Sequence, residues 1–302
     1  MVTKAIKIEK SDEVSIQTNG IEVVYDTIGN PSDPPLLLVS GLGSQLVAWD
    51  LDFCERLAAH GLWLIRYDNR DVGLATKFVE AGTPNPLAMM MGQGEVVPYL
   101  LRDMAADGMG VLDALGIEQA HVLGVSMGGM IVQEMMIHWP ERLKTAVSIM
   151  STPSFPPAVM PTPAAMAAMT SVVPVERGAH IAHSVESWKA YIGSGFPLDE
   201  ERVRRSAALQ YDRNFHPAGS ARQMAAIIAS GDRTEKLHQV MVPTLVIHGD
   251  EDPLVNVQGG IDTANAIPNA ELMIVAGMGH NLPEETWADI MARIAEHINR
   301  HD

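Results

Sequence analysis

"HVLGVSMGGM", residues 121–130, sets one serine between two glycines where an apolar run gives way to a helix-like pattern. The run "AHVLGVS" has the make-up of a buried strand, and "MGGMIVQEMMIHWP" has helical spacing up to Pro140. Gly124 and Gly128 carry no Cβ, so a strand can turn sharply into a helix between them and push the Ser126 hydroxyl outward. The pattern is short enough to arise by chance, so the rest of the chain must separate a nucleophile from an ordinary turn.

The flanking chain alternates short apolar runs with helix-period segments, as a sheet with crossover helices requires. "VSIQTNGIEVVYDTIG" reads as two strands joined at Asn19-Gly20, a favoured hairpin turn. "PLLLVSG" (35–41) and "LWLIRYD" (62–68) are near-continuous apolar runs, the mark of parallel strands buried on both faces. Between them lies a helix containing Cys54, with Gly61 as its expected C-cap. A second helix, "YLLRDMAADGMGVLDALG", ends at Gly116, and "LKTAVSIM" (143–150) follows the Ser126 helix as a strand.

From residue 151 to 234 Pro, Ala and Met dominate, and strand-like runs give way to short helical stretches. This segment reads as a helical cap inserted into an α/β core of residues 1–150 and 235–302, being too long for a plain loop. Strands resume at "TLVIHG" (244–249) and "AELMIVAG" (270–277), each followed by a helical segment, the last being "EETWADIMARIAEHINR".

The 302 residues, 47% hydrophobic and 19% charged, have the make-up of an ordinary globular chain. A formal net charge of −16 argues against nucleic acid or an anionic membrane surface as partner, since both draw on clustered Lys and Arg. The lone cysteine excludes an intrachain disulfide, and its helical setting suits a buried, inert thiol. "MVTKAIKIEK" mixes Lys and Glu without an apolar segment, and no run approaches the roughly 20 residues a bilayer span needs. A cytoplasmic protein is the expectation. Dimerisation leaves no mark on the sequence, so a homodimer stands beside a monomer.

A serine hydroxyl is a poor nucleophile, so acyl transfer needs a base, a group to orient that base, and donors aimed at the developing oxyanion. "MIVAGMGHNLPEE" offers His280 in a Gly-rich loop after the last strand. "TLVIHGDEDPLV" offers Asp250, Glu251 and Asp252. Asp252 is favoured because a turn begun at Gly249 needs a few residues before a side chain swings back over the sheet edge, with Asp250 the alternative. The donors would be the N–H of Met127, after the nucleophile, and that of Leu42 in "SGLGSQ" after "PLLLV". The resulting order is Ser, Asp, His along the chain.

With "GVSMGG", "RYDNRDVGLATK", "PTLVIHGDEDPLV" and "GMGHNLP" in place, the chain resembles the α/β-hydrolase superfamily over nearly its whole length. Within it the chain is similar to the capped esterases related to aclacinomycin methylesterase. The resemblance implies an eight-stranded, mostly parallel sheet flanked by helices, a triad of Ser126, Asp252 and His280, and oxyanion donors at Leu42 and Met127. No cofactor or metal is called for. Two departures stand out: Ser40-Gly41 where many relatives have His-Gly, and "DNRDVGLAT", with Asp71 and Ala75 in place of a Gly and a Ser. Asp68 and Arg70 read as structural turn residues.

The expected activity is hydrolysis of a small carboxylic ester through an acyl-serine. Lactone or C–C bond cleavage and acyl transfer to peroxide are alternatives on the same triad, and a non-catalytic ligand receptor is the alternative of another class. Serine at the elbow excludes the family's Asp-dependent dehalogenase and epoxide hydrolase chemistries. His180 with His183, and His297 with His301, have metal-like spacing, but neither pair has a Cys, Asp or Glu completing a recognisable ligand set, and both read as surface histidines. The 19 methionines are core fillers by default; around a cleft they would suit an apolar, loosely defined substrate.

Overall fold

Leu36 and Leu38 pack into one apolar cluster and Leu37 and Val39 into another, so this strand must be covered on both faces. The same division holds for Leu64 against Ile65 and for Leu123 against Val122. A sheet with helices on both sides follows. The computed structural model describes residues 8–155 and 159–302, with the backbone alone at Met90. Residues 1–7, which carry most of the leader-free reading of the N-terminus, and residues 156–158 of the Pro-rich stretch lie outside the described residues.

The chain opens with β1 (Val14–Thr18), β2 (Ile21–Ile28), β3 (Pro35–Val39), α1 (Leu51–Ala58) and β4 (Trp63–Tyr67). Then come α2 (Pro86–Met90), α3 (Leu101–Ala114), β5 (Ala120–Val125), α4 (Met127–His138) and β6 (Leu143–Ile149). Five helices follow: α5 (Pro163–Met169), α6 (Arg177–Lys189), α7 (Glu200–Arg213), α8 (Pro217–Ser230) and α9 (Thr234–Leu237). The chain returns through β7 (Thr244–Gly249), α10 (Gln258–Ala266), β8 (Glu271–Val275) and α11 (Glu284–Asn299).

The eight strands form one sheet in the order β1-β2-β4-β3-β5-β6-β7-β8. β2 runs antiparallel to both its neighbours, and every pairing from β4 to β8 is parallel. α1 and α11 pack on one face through Phe53, Leu57, Trp287 and Ile290, and α3 and α4 on the other through Met104, Val111, Met130 and Ile131. Parallel strands all end on the same edge, so the loops after β3, β5, β7 and β8 gather there, where open α/β sheets bind ligands.

Asn19 and Gly20 make the hairpin turn with φ of 49° and 76°. Gly61 does not cap α1 directly. The helix ends at Ala58 with Ala59 as C-cap, and Gly61 takes φ 81° two residues later, where the chain turns back to β4. α2 went unread in the sequence because its five residues span little more than one turn and give no periodic signal. Cys54 is buried against Trp49 and Leu57, and burial pushes its thiol up to about 12, which leaves it protonated and inert. No helix among the described residues is long and apolar enough to cross a membrane.

Candidate active site

Ser126 sits between β5 and α4 with φ 56° and ψ −119°, a conformation that a non-glycine residue adopts only under strain. The turn closes because its flanks are bare. A Cβ on Gly124 would lie 2.2 Å from Gly128 O, and one on Gly128 would lie 2.0 Å from Val39 O. The Ser126 N–H is held by Ile149 O at 2.9 Å, and the hydroxyl faces a cavity.

His280 lies in the loop between β8 and α11, with Nε2 at 3.0 Å from Ser126 Oγ and Nδ1 at 2.7 Å from Asp252 Oδ2. Asp252, in the loop after β7, is buried, and its Oδ1 accepts the N–H groups of Leu254 and Val255 at 2.9 Å each. Burial alone would raise its carboxyl, but His280 and the hydrogen bonds from both His248 and His280 outweigh this and hold it at about 2. Asp250, the alternative acid, is engaged elsewhere: its Oδ1 accepts the Gly277 N–H at 2.6 Å.

His248 was not singled out in the sequence. Its Nε2 lies 3.3 Å from Asp252 Oδ2 and 2.8 Å from Val255 O, so a second imidazole faces the same carboxylate. A signal existed, in that His248 interrupts the otherwise apolar "TLVIHG" four residues before Asp252.

Leu42 follows β3, and Gly41 beside it comes so close to the elbow that a Cβ there would lie 3.4 Å from Ser126 Cβ. Met127 is the first residue of α4. Neither the Leu42 nor the Met127 N–H donates to an acceptor among the described residues, although Gly43 N–H, Ser44 N–H and Ser126 N–H all do. The loop is fixed from α7 and α8. Gly43 N–H donates to Gln223 Oε1 at 2.8 Å, while Gln45 donates through Nε2 to Gln210 O and Asn214 O at 2.7 Å each.

The profile of the alpha/beta hydrolase fold matches residues 34–286. The chain belongs to the alpha/beta hydrolase family. Among proteins of known activity it is 29% identical to rhodomycin D methylesterase DnrP of Streptomyces peucetius, over 95% of this chain and 96% of that one. It is 25% identical to 3-oxoadipate enol-lactonase 2 of Acinetobacter baylyi, over 82% of each chain. Among solved structures, 2-hydroxy-6-oxo-6-phenylhexa-2,4-dienoate hydrolase from Rhodococcus superposes with a TM-score of 0.75 at 19% identity, over 97% of this chain and 100% of that one.

Within this hydrolase the two departures from the family pattern become physical features. Asp71, where a Gly is common, takes φ 71°, a backbone region that favours glycine. Its carboxylate is buried and accepts from Arg222 at 2.7 and 2.9 Å, from Tyr99 Oη at 2.6 Å and from Phe78 N–H at 2.9 Å. Ser40 O accepts Asn69 Nδ2 at 3.2 Å, so the loop that lacks the family's histidine is held by Asn69 and Gln223. Asp68 accepts Leu46 and Leu74 N–H groups at 2.8 Å each, and Arg70 is paired with Asp107 at 2.7 Å.

The cavity over Ser126 and His280 measures about 1320 Å³. Met127, Met130, Met150, Met160, Met166, Met169 and Met224 line it, with Phe155, Trp188, Tyr191 and Phe215. Met89 and Met91 are not among its walls.

Two of the four histidines read as surface residues need correction, His180 and His297, whereas His301 is exposed. His180 lines the cavity, packed on Tyr211 and Phe215 at centroid distances of 5.5 and 5.1 Å. His297 is buried, and its Nδ1 lies 2.9 Å from Glu271 Oε1. Glu271, His297 and His301 bring one ligand atom each within 4.8 Å of one another, a grouping hidden by the separation of 26 positions between Glu271 and His297. Arg293 and Arg300 already bind that carboxylate, so a cation would meet two guanidiniums there.

Proposed function

We propose that this protein hydrolyses carboxylic esters by a serine mechanism. His280 takes the proton from Ser126 as Oγ attacks the ester carbonyl, and Asp252 orients the imidazole and stabilises its protonated form. The N–H groups of Leu42 and Met127 bind the tetrahedral oxyanion. His280 returns the proton to the leaving alcohol, then activates the water that releases the acid from the acyl-serine.

The observation that carries this reading is the unbroken line of contacts from Ser126 Oγ to His280 to Asp252, at 3.0 and 2.7 Å. The similarity to a methylesterase along almost the full chain supports the ester as substrate class. Residues 151–234 act as the cap, with 1–150 and 235–302 as the core, and the methionine-rich walls suit an apolar substrate. A single free cysteine fits a reducing compartment such as the cytoplasm. Lactone opening is the second reading, favoured by the similarity to an enol-lactonase.

A panel of p-nitrophenyl esters of increasing acyl length, assayed beside simple lactones, tests the assignment. The expected result is ester turnover that falls by about 10⁴ or more in kcat for Ser126→Ala with the far-UV circular dichroism unchanged. Turnover retained in Ser126→Ala overturns it, and lactones turned over faster than every ester would favour the second reading.

A further inference from the structure

The loop that carries His280 is gripped by the helical insertion. Between α6 and α7 the chain forms the turn "YIGSG", residues 191–195, which interlocks with "GMGH", residues 277–280. Tyr191 O accepts the His280 N–H at 2.7 Å, and Gly195 N–H donates to Gly277 O at 3.0 Å. The two backbones touch directly. A Cβ on Gly193 would lie 2.4 Å from Gly277 O, one on Gly195 would lie 2.6 Å from Gly277 Cα, and one on Gly279 would lie 2.2 Å from Gly193 N.

Ser194, at the centre of this turn, donates its N–H at 2.5 Å and its hydroxyl at 3.0 Å to the Glu251 carboxylate. Glu251 N–H in turn donates to Met278 O at 3.2 Å. Glu251 immediately precedes Asp252, so one knot joins the loop of the acid, the loop of the base and the insertion. Within the base loop Met278 is buried in the core and Gly277 N–H is held by Asp250, but Gly277 and Gly279 contribute no side chains of their own.

We propose that the Tyr191–Gly195 turn is a positioning element for His280, with Ser194 and Glu251 as its polar clasp. The assignment rests on reading His280 as the general base. None of these groups acts on the substrate chemically; they keep Nε2 within reach of Ser126 Oγ. Misplacing a reacting group by about 1 Å costs on the order of 10² in rate. Displacement of this turn therefore disarms the site, and full activity requires it to be docked on the base loop.

Gly193→Ala forces the turn away from Gly277 O. It is expected to lower kcat on a p-nitrophenyl ester by about 100-fold with KM nearly unchanged. It should also shift or broaden the low-field proton resonance of the His280–Asp252 hydrogen bond. Glu251→Ala should lower kcat by about tenfold, with partial recovery in Glu251→Gln, which keeps an acceptor for Ser194. Gly94→Ala, where an added Cβ meets nothing within 4 Å, serves as the neutral control.

Wild-type kcat and an unmoved resonance in both Gly193→Ala and Glu251→Ala overturn the proposal. A raised KM at constant kcat does the same, since it would make the turn only a cavity wall. If Gly193→Ala does not fold, the Glu251 pair decides alone. Ser126→Ala and His280→Ala, assayed alongside, test the underlying reading: activity surviving in them defeats the serine mechanism, whereas its loss together with wild-type behaviour in the turn variants defeats only the positioning role.

Discussion

Gln223 has both ends of its amide engaged, accepting from Gly43 N–H and donating to Arg70 O, each at 2.8 Å, in a fully buried setting. Replacing it with leucine leaves the Gly43 N–H and the Arg70 carbonyl unpaired, which costs about 1–3 kcal/mol of stability. It also frees the peptide next to Leu42. Gln223→Leu is expected to lower kcat for ester hydrolysis by about 10-fold to 100-fold, in line with misaiming the proposed oxyanion donor, with KM little changed. Steady-state kinetics and urea unfolding of the same preparation check both effects. Ser126, His280 and Asp252 were legible because each stands near a glycine just past a strand-like run, where a sheet offers side chains to a ligand. Gln223 was not, since one amide on a helix carries no local mark of the loop it will meet 180 residues away.

At the level of elements, the strands were readable from near-continuous apolar runs, and β7 (Thr244–Gly249) matches its run residue for residue. What the sequence concealed is how α7 and α8 attach. Arg213 at the end of α7 reaches Asp68, and Arg222 of α8 reaches Asp71, across 145 and 151 residues. Both acids lie in the loop after β4, so the departure from glycine at position 71 supplies an anchor for α8. Breaking a buried ion pair from one side is strongly destabilising because a charge is left uncompensated. Asp71→Gly should therefore cost about 3–5 kcal/mol even though glycine suits φ 71° better. Arg222→Met in the Asp71→Gly background should recover more than half of that loss. A double-mutant cycle by urea unfolding measures the coupling, and additive costs would show that the pair does not act as a unit.

For the whole molecule, pH acts on stability through buried groups as well as on the site. His121 lies inside β5, fully buried, with Nδ1 at 2.8 Å from Thr145 Oγ1. Burial lowers its pKa from 6.5 to about 4, only partly opposed by Asp302. The unfolded chain thus binds a proton at pH 5 that the folded chain refuses, so stability falls as pH drops from about 6.5 towards 4. The loss from this one group between pH 7 and pH 5 is about 2 kcal/mol. His121→Gln should show a correspondingly shallower fall in urea midpoint over that interval. An equal fall in both proteins would assign the pH dependence elsewhere. His121 is one of the polar residues an apolar strand pattern absorbs without notice, and only its burial exposes the linkage.

The account turns on Ser126 as the group that becomes acylated, and covalent trapping addresses it most directly. The protein is treated with a serine-directed phosphonate, digested and mapped by mass spectrometry while residual esterase activity is followed. One adduct on the peptide containing Ser126, growing in step with the loss of activity and absent in His280→Ala, is the predicted result. Activity that persists after Ser126 is fully modified, or inactivation with the adduct on another residue, would contradict it.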